Sequence, residues 1–162
     1  MHTTPIRKRI ISDPVHAKQS PEPAWLDLAA LTEVEITSED PGYPIDAAIL
    51  SGMSKGWRAA VPGKQTIRLL FIQPQHIHLI HLNFQESSTN RTQEYVLRWS
   101  RDNGQSFMDI ARQQWNFSPE GSTEELEDHV VDLSGATVIE LTITPEISNG
   151  THFASLAEIR IA

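Results

Sequence analysis

The stretch EYVLRWSRDNGQSFMDI, from Glu94 to Ile110, decides the fold of this chain. Large apolar residues occupy every second position up to Trp99, which is the pattern of a half-buried strand. Asp102, Asn103 and Gly104 follow, and these residue types tolerate the left-handed backbone conformations that a tight hairpin requires. The stretch therefore predicts two antiparallel strands joined by a turn.

The same two-residue period runs through most of the remaining sequence, and no segment carries a sustained helical apolar stripe. Ile77 and Leu79 have the opposite parity to Ile80, which predicts a β-bulge or a change of burial between them. A short helical turn is predicted over residues 44–50, where Pro44 favours a helix start. Further strands are predicted within residues 31–39, 64–72, 76–86, 127–133, 137–144 and 153–161. Many short strands separated by Gly, Pro and Asn turns predict an all-β sandwich or barrel.

Length and composition describe one globular domain with an unusual leader. The chain has 162 residues, no cysteine and a net charge of −8, so a disulfide framework and a thiol nucleophile are excluded. Residues 1–22 hold four basic and two acidic side chains among scattered prolines, which predicts a disordered or extended tail before a domain at 23–162. The acidic body disfavours nucleic-acid binding.

Neither a secretion signal nor a membrane span is predicted from the sequence. The N-terminal stretch has no apolar run that could serve as the central region of a signal peptide. No segment approaches the ~20 apolar residues of a membrane span. We therefore expect a cytoplasmic protein that does not associate with membranes.

The hairpin resembles that of discoidin-type (coagulation-factor type C) domains, in which an aromatic residue such as Phe107 opens the return strand. Residues 56–84, GWRAAVPGKQTIRLLFIQPQHIHLIHLNF, and the closing ASLAEIRIA, 154–162, resemble other parts of the same fold, in the same order. The chain thus resembles the galactose-binding-domain-like jelly roll, which family 32 carbohydrate-binding modules use. The resemblance implies a two-sheet sandwich of about eight main strands, with neighbouring termini and ligand loops clustered at one end.

The stretch RQQWNFSP, residues 112–119, is unusually rich in amide and aromatic groups. On a strand, its side chains divide between two faces: Arg112, Gln114 and Asn116 on one, and Gln113, Trp115 and Phe117 on the other. If the stretch binds a ligand, Trp115 offers a flat surface for a sugar while the polar groups bond its hydroxyls. If it is a structural seam, Trp115 and Phe117 complete the core.

Two further groups are candidate ligand-binding residues. Arg91, Gln93 and Glu94 open the strand that would pair with 112–117, so Glu94 can form an ion pair with Arg112. That pair either locks the end of the sheet or holds the arginine rigid for a ligand. Trp57 and Arg58 are neighbours on a predicted loop, where Trp57 either stacks on a ligand or plugs one end of the sandwich.

Metal sites receive little support from the sequence. His76, His78 and His81 could bind zinc, but no cysteine and no carboxylate close in sequence completes a tetrahedral set, so we expect a surface cluster. Carbohydrate-binding relatives often hold a structural calcium, for which Asp46 and Glu158 are the only candidates. Calcium needs six to eight oxygens, and the acidic loop that would supply the others is missing. We therefore expect no cofactor.

Function is predicted only by class. The sequence contains no nucleophile elbow and no glycine-rich phosphate loop, so an enzyme is not expected. The first hypothesis is a non-enzymatic module that recognises a saccharide or another small polar ligand through loops at one end of the sandwich. The alternative is an intracellular protein-interaction or scaffold domain that uses the same surface for a protein partner.

Overall fold

The computed structural model describes residues 23–50 and 55–162, so the predicted tail at 1–22 lies outside the described residues. Within this part of the chain, no helix is long and apolar enough to cross a membrane. The elements, in chain order, are α1 (Leu28–Leu31), β1 (Thr32–Ile36), α2 (Asp46–Ile49), β2 (Trp57–Arg58), β3 (Gln65–Gln85), β4 (Arg91–Ser100), β5 (Met108–Phe117), β6 (Glu124–Thr144), β7 (Ser155–Leu156) and β8 (Glu158–Ile161). The predicted all-β architecture and the short helical turn near Pro44 are confirmed.

Two long antiparallel strands, β3 and β6, connect the two layers of the sandwich. They pair regularly from Gln65 to Leu70 and again from Leu79 to Gln85, with register shifts between these stretches. The bulge predicted near Ile77 is one of these shifts. The shifts bend both strands, so that their two halves can belong to facing layers.

The first layer has the strand order β1, β3, β6, β4, β5, and it uses the first half of β3 and the second half of β6. The second layer consists of β8, the second half of β3 and the first half of β6. Counted this way, eight strand segments form the sandwich, which confirms the expected architecture. The two-residue strands β2 and β7 pair separately.

The core lies between these layers and is built from alternate residues of each strand. Ile67 and Leu69 face inward from the first layer, and Ile80 and Leu82 face inward from the second; all four are buried. The ring of Phe84 stacks on Tyr95 of the opposite layer with 5.2 Å between centroids. The alternation read from the sequence therefore identifies the faces that meet in the core.

The hairpin between β4 and β5 forms as predicted. Asn103 and Gly104 have φ values of 60° and 87°, the left-handed conformations that these residues tolerate best. The Asp102 carboxylate accepts hydrogen bonds from Ser100 Oγ at 2.7 Å and Ser106 N at 2.9 Å. These bonds lower the pKa of Asp102 to about 2, so the turn is held by an ionised side chain.

Candidate functional site

Several chain connections meet at one end of the sandwich, which we call the loop end. Backbone hydrogen bonds tie them together, from Asp40 N to Arg58 O at 2.8 Å and from Ala59 N to Ala154 O at 2.9 Å. The loop end comprises residues 37–45, 55–64, 86–90, 118–123 and 145–154. These bonds give the irregular segments fixed relative positions, as a binding surface requires.

Two adjoining concavities of about 330 and 350 Å³ open at the loop end. Arg58, Glu86, Ser88 and Ser155 line both of them. Polar side chains that also line the first are Lys55, Gln85, Thr123 and Glu124. The second is also lined by the polar side chains of Asp40, Thr89, Thr151 and His152 and by the apolar ring of Phe153. The loop end therefore offers a mainly polar cleft of the size of a small ligand.

Arg58 lies between the two concavities with its side chain exposed. Its guanidinium lies over the ring of Tyr43, 4.6 Å from the centroid, and its backbone N–H donates to Tyr43 O at 3.1 Å. No ion pair of Arg58 occurs within residues 23–50 and 55–162. A stacked guanidinium without a carboxylate partner keeps its donors available to a ligand.

Phe153 supplies an apolar surface beside this arginine. Its side chain is 46 % exposed, and it lines the second concavity among mainly polar side chains. The neighbouring His152 accepts a hydrogen bond at its backbone oxygen from Gly63 N at 2.9 Å. That bond anchors the segment that carries Phe153 to the segment that follows Arg58.

Arg91 was predicted to bind ligand, but its side chain is only 1 % exposed. It donates to Glu86 Oε2 at 3.2 Å, Gln93 Oε1 at 3.0 Å and Pro145 O at 2.9 Å, and it packs over Phe117. Arg91 lines the second concavity from below and joins the connections at 86–90 and 145–154. Its geometry is that of a support for the loop end.

A buried polar cluster continues below Arg91. Gln93 of the first layer and Glu125 of the second are both inaccessible to solvent. Within the described residues, Gln93 Nε2 and both carboxylate oxygens of Glu125 have no hydrogen-bond partner. Burial, together with the charge of Glu127, raises the pKa of Glu125 to about 7, although the charge of Arg91 lowers it in part.

Glu94 and Arg112 form the ion pair that the sequence predicts, but on the outer face of the first layer. The Glu94 carboxylate also accepts from Gln114 Nε2 at 3.0 Å, and Thr92 Oγ1 donates to Asn116 Oδ1 at 2.7 Å. Hydrogen bonds from Gln114 and Arg112 lower the pKa of Glu94. Because strand residues alternate, the sheet separates this cluster from Arg91 and Gln93, and the predicted site residues divide into separate groups.

The two tryptophans singled out in the sequence both face the interior. Trp57 is 1 % exposed and donates from Nε1 to Ser38 O at 3.1 Å. Trp57 therefore has almost no exposed surface for stacking on a ligand, and its indole packs at the base of the first concavity. Trp115 is half-buried against the core on the same face as Gln93, so the inner face of 112–117 is structural while its outer face is polar.

The predicted metal ligands also separate. Asp46 is exposed at the start of α2, whereas Glu158 forms an ion pair with Arg160 at 3.1 Å. Within the described residues, the two calcium candidates belong to no common cluster of three ligands. His81 pairs with Asp128 at 2.6 Å. Asp132, which is distant in sequence, lies beside His76 and His78 because the register of β3 and β6 shifts there, and the three residues form an exposed cluster.

Sequence reasoning missed Phe153 and His152. They lie in the connection NGTHFAS, residues 149–155, and the sequence pattern placed Phe153 in a predicted strand within residues 153–161. A neighbouring aromatic and histidine in a loop between strands was the available signal. That signal could not indicate that this loop lies beside Arg58, which is more than ninety residues earlier in the chain.

The sequence matches no protein-family model and no curated protein. The fold, by contrast, matches solved carbohydrate-binding modules over most of its length. The module CpGH89CBM32-5 from Clostridium perfringens, in complex with GalNAc-β-1,3-galactose, is 22 % identical with a TM-score of 0.63, over 85 % of this chain and 99 % of that chain.

Two further structures extend the comparison. The family 32 module of C. perfringens NanJ, in complex with galactose, is 16 % identical with a TM-score of 0.58, over 85 % of this chain and 96 % of that chain. Chitosan-binding module 1 of a chitosanase/glucanase from Paenibacillus sp. IK-5 is 16 % identical with a TM-score of 0.60, over 85 % and 98 %. The chain therefore shares the all-β jelly-roll fold of these carbohydrate-binding modules.

Proposed function

We propose that this protein is a non-enzymatic module that binds a saccharide at the loop end, with Arg58 at the centre of the site. The observation that carries the proposal is the exposed guanidinium of Arg58 in a cleft that it shares with the exposed ring of Phe153. The fold also supports it, since the compared structures are carbohydrate-binding modules. Fold alone does not define a ligand, so the site residues carry the argument.

The chemistry of the cleft suits a sugar ring. A sugar presents C–H groups on one side and hydroxyls around its edge, and hydroxyls both donate and accept hydrogen bonds. Phe153 can cover the C–H side, because an aromatic face provides apolar contact area. Arg58 can donate to hydroxyl oxygens, while Asp40 and Glu86 can accept from hydroxyl hydrogens.

The outer face of β4 and β5 remains the alternative ligand surface. Arg112, Gln114 and Asn116 are exposed there, but they line neither of the two loop-end concavities. A surface without a cleft buries less of a small ligand. We therefore assign the saccharide to the loop end and use Arg112 as the matched control.

The second predicted function, a protein-interaction domain, remains a prediction with less support. It requires a flat apolar surface at the loop end. The side chains around Arg58, Glu86 and Ser88 are mostly polar, whereas the central part of a protein interface is usually apolar. A mainly polar cleft favours a small polar ligand.

The test is a glycan-array screen of the full chain, followed by calorimetric titration of the best saccharide into variants. Arg58→Ala is expected to weaken binding about 10-fold or more, because a hydrogen bond to a charged group is worth ~1.5–3 kcal/mol. Phe153→Ala should also weaken binding, because it removes the apolar contact area of the ring. Circular dichroism should show both variants folded. Arg112→Ala, an exposed arginine away from the cleft, should bind normally.

Two outcomes would overturn the proposal in different ways. If no saccharide binds the intact chain, the ligand class is wrong. If a saccharide binds but only Arg112→Ala abolishes binding, the ligand class holds and the site lies on the outer face of β4 and β5.

A further inference from the structure

Two histidines and an aspartate lie together at the far end of the sandwich from the loop end. His76 and His78 belong to β3, and Asp132 belongs to the neighbouring β6. The loop end begins where β3 ends at Gln85, so His76 lies about 30 Å away along the strand at ~3.3 Å per residue. The group is thus separate from the proposed saccharide site.

The strand geometry explains why the two histidines are neighbours. Residues two apart on a strand share a face, and the rings of His76 and His78 stack with centroids 4.3 Å apart and planes inclined by 27°. In an ordinary ladder, β6 would place its side chains at fixed positions opposite them. The register shifts between Gln75 and Leu79 change that spacing and bring Asp132 next to this pair.

The three side chains present ligand atoms to a common point. His76 Nε2 hydrogen-bonds the Asp132 carboxylate, and the three ligand atoms all lie within 4.8 Å of one another. All three residues are exposed, and an ion can reach them directly from solvent.

Imidazole nitrogen and carboxylate oxygen are the donor types that zinc and similar ions prefer. Bond lengths of about 2.0–2.2 Å place zinc ligands roughly 3.3 Å apart in a tetrahedron. The contact between His76 and Asp132 is closer than this spacing, and the other ligand atoms lie within 4.8 Å. Because the side chains are exposed, small rotamer changes can adjust these distances to an ion, at the expense of the hydrogen bond between His76 and Asp132.

We propose that His76, His78 and Asp132 form a surface site for a divalent first-row transition-metal ion such as Zn²⁺. The ion links β3 to β6 where their register shifts, and three protein ligands leave one coordination position for water. Its binding stabilises the folded chain, because the unfolded chain does not hold the three ligands together. Ca²⁺ should bind poorly at this site, because it prefers six to eight oxygen ligands.

The neighbouring His81 provides a matched control on the same strand. Its Nδ1 lies 2.6 Å from Asp128, and its Nε2 lies 3.5 Å from Glu158. The two carboxylates therefore contact different ring nitrogens and cannot chelate one ion together with this residue. His81→Gln should leave the proposed site intact.

The test is calorimetric titration of ZnCl₂ into the full chain without an affinity tag at pH 7.5, with CaCl₂ as a comparison. We expect one Zn²⁺ per chain and a melting temperature that rises to saturation with Zn²⁺ but not with Ca²⁺. His78→Gln and Asp132→Asn should each weaken Zn²⁺ binding about 10-fold or more and remove the rise in melting temperature. These exposed substitutions leave the core unchanged, and saccharide binding should not respond to them.

The double variant His76→Gln, His78→Gln decides the location of the site. If it binds Zn²⁺ as tightly as the unaltered chain, the ion is held elsewhere and the proposal is wrong. If the unaltered chain binds no Zn²⁺ at millimolar concentration, the three residues are only a hydrogen-bonded surface cluster. Loss of binding in His81→Gln alone would move the site to His81.

Discussion

Two arginine–glutamate pairs in this molecule have similar chemistry and opposite surroundings. Arg91 and Glu86 lie beneath the loop end, where the arginine side chain is 1 % exposed and the glutamate side chain 17 %. Arg112 and Glu94 lie on the outer face of β4 and β5, where the arginine side chain is 66 % exposed. The first pair is built into the packing of the sandwich, and the second is open to solvent.

The difference follows from which side of β4 each residue occupies. Arg91 and Gln93 are odd-numbered residues that point between the layers, whereas Glu94 points outward. Removing a charged group from water costs free energy that contacts within the protein must offset. Arg91 makes three hydrogen bonds to protein groups. An exposed pair remains solvated and contributes little. Residue type alone therefore says little about the energetic role of an arginine.

The largest effect is expected from Arg91→Ala. The substitution removes the hydrogen bonds to Glu86, Gln93 and Pro145 and a positive charge that interacts with Glu125. Removing one partner of a buried ion pair costs ~3–5 kcal/mol, which urea denaturation would measure as a lower unfolding free energy. A cost below about 1 kcal/mol would mean that the two pairs are energetically alike and that burial of Arg91 has no consequence.

Glu125→Gln is expected to have the next largest effect, and it should depend on pH. The pKa of the folded-state carboxyl is about 7, above its ordinary 4.5, so between these values the folded chain keeps a proton that the unfolded chain has released. Stability therefore falls as pH rises from about 4.5 to 7, by at most roughly 3 kcal/mol. Glutamine cannot ionise and avoids this loss.

Denaturation at two pH values measures the effect of Glu125→Gln. The variant should be more stable than the unaltered chain at pH 8 and nearly equal to it at pH 4.5. The adjacent exposed Glu124, changed to Gln, controls for net charge and should not reproduce the difference. Equal effects of Glu125→Gln at both pH values would show that Arg91 already neutralises the buried carboxylate.

The smallest effect is expected from Arg112→Ala. Because this guanidinium is solvated, loss of its contact with Glu94 should cost only ~0–1 kcal/mol, and most of that should vanish at 1 M salt, where charges are screened within about 3 Å. Urea denaturation at low and high salt measures the stability cost of the substitution and the part of that cost that salt removes. A salt-independent cost of several kcal/mol would place Arg112 in the same structural class as Arg91.

Much of the fold was predictable because its determinants are local. The hairpin at Asn103 and Gly104 depends on backbone conformations that few residue types tolerate. The inward faces of β3 and β4 follow from the two-residue period. The pairing of Glu94 with Arg112 was also predictable, since it joins adjacent strands of one hairpin.

The candidate sites were less predictable because their residues come from distant segments. Arg58 and Phe153 share a cleft although ninety-five positions separate them. His78 meets Asp132 only through a register shift between β3 and β6. The spacing of residues within one segment does not indicate which distant segment will pack against it, so neither contact could be predicted.

The sequence by itself determined the all-β class, the hairpin turn and the alternation of inward and outward residues, because each depends on the steric preferences and polarity of neighbouring residues. Tertiary structure decided that Arg91 is buried and Arg58 is exposed, that Trp57 fills the core, and that Phe153 and Asp132 join their respective clusters. Burial and contact depend on which segments pack against a residue, and that packing is set by the whole chain.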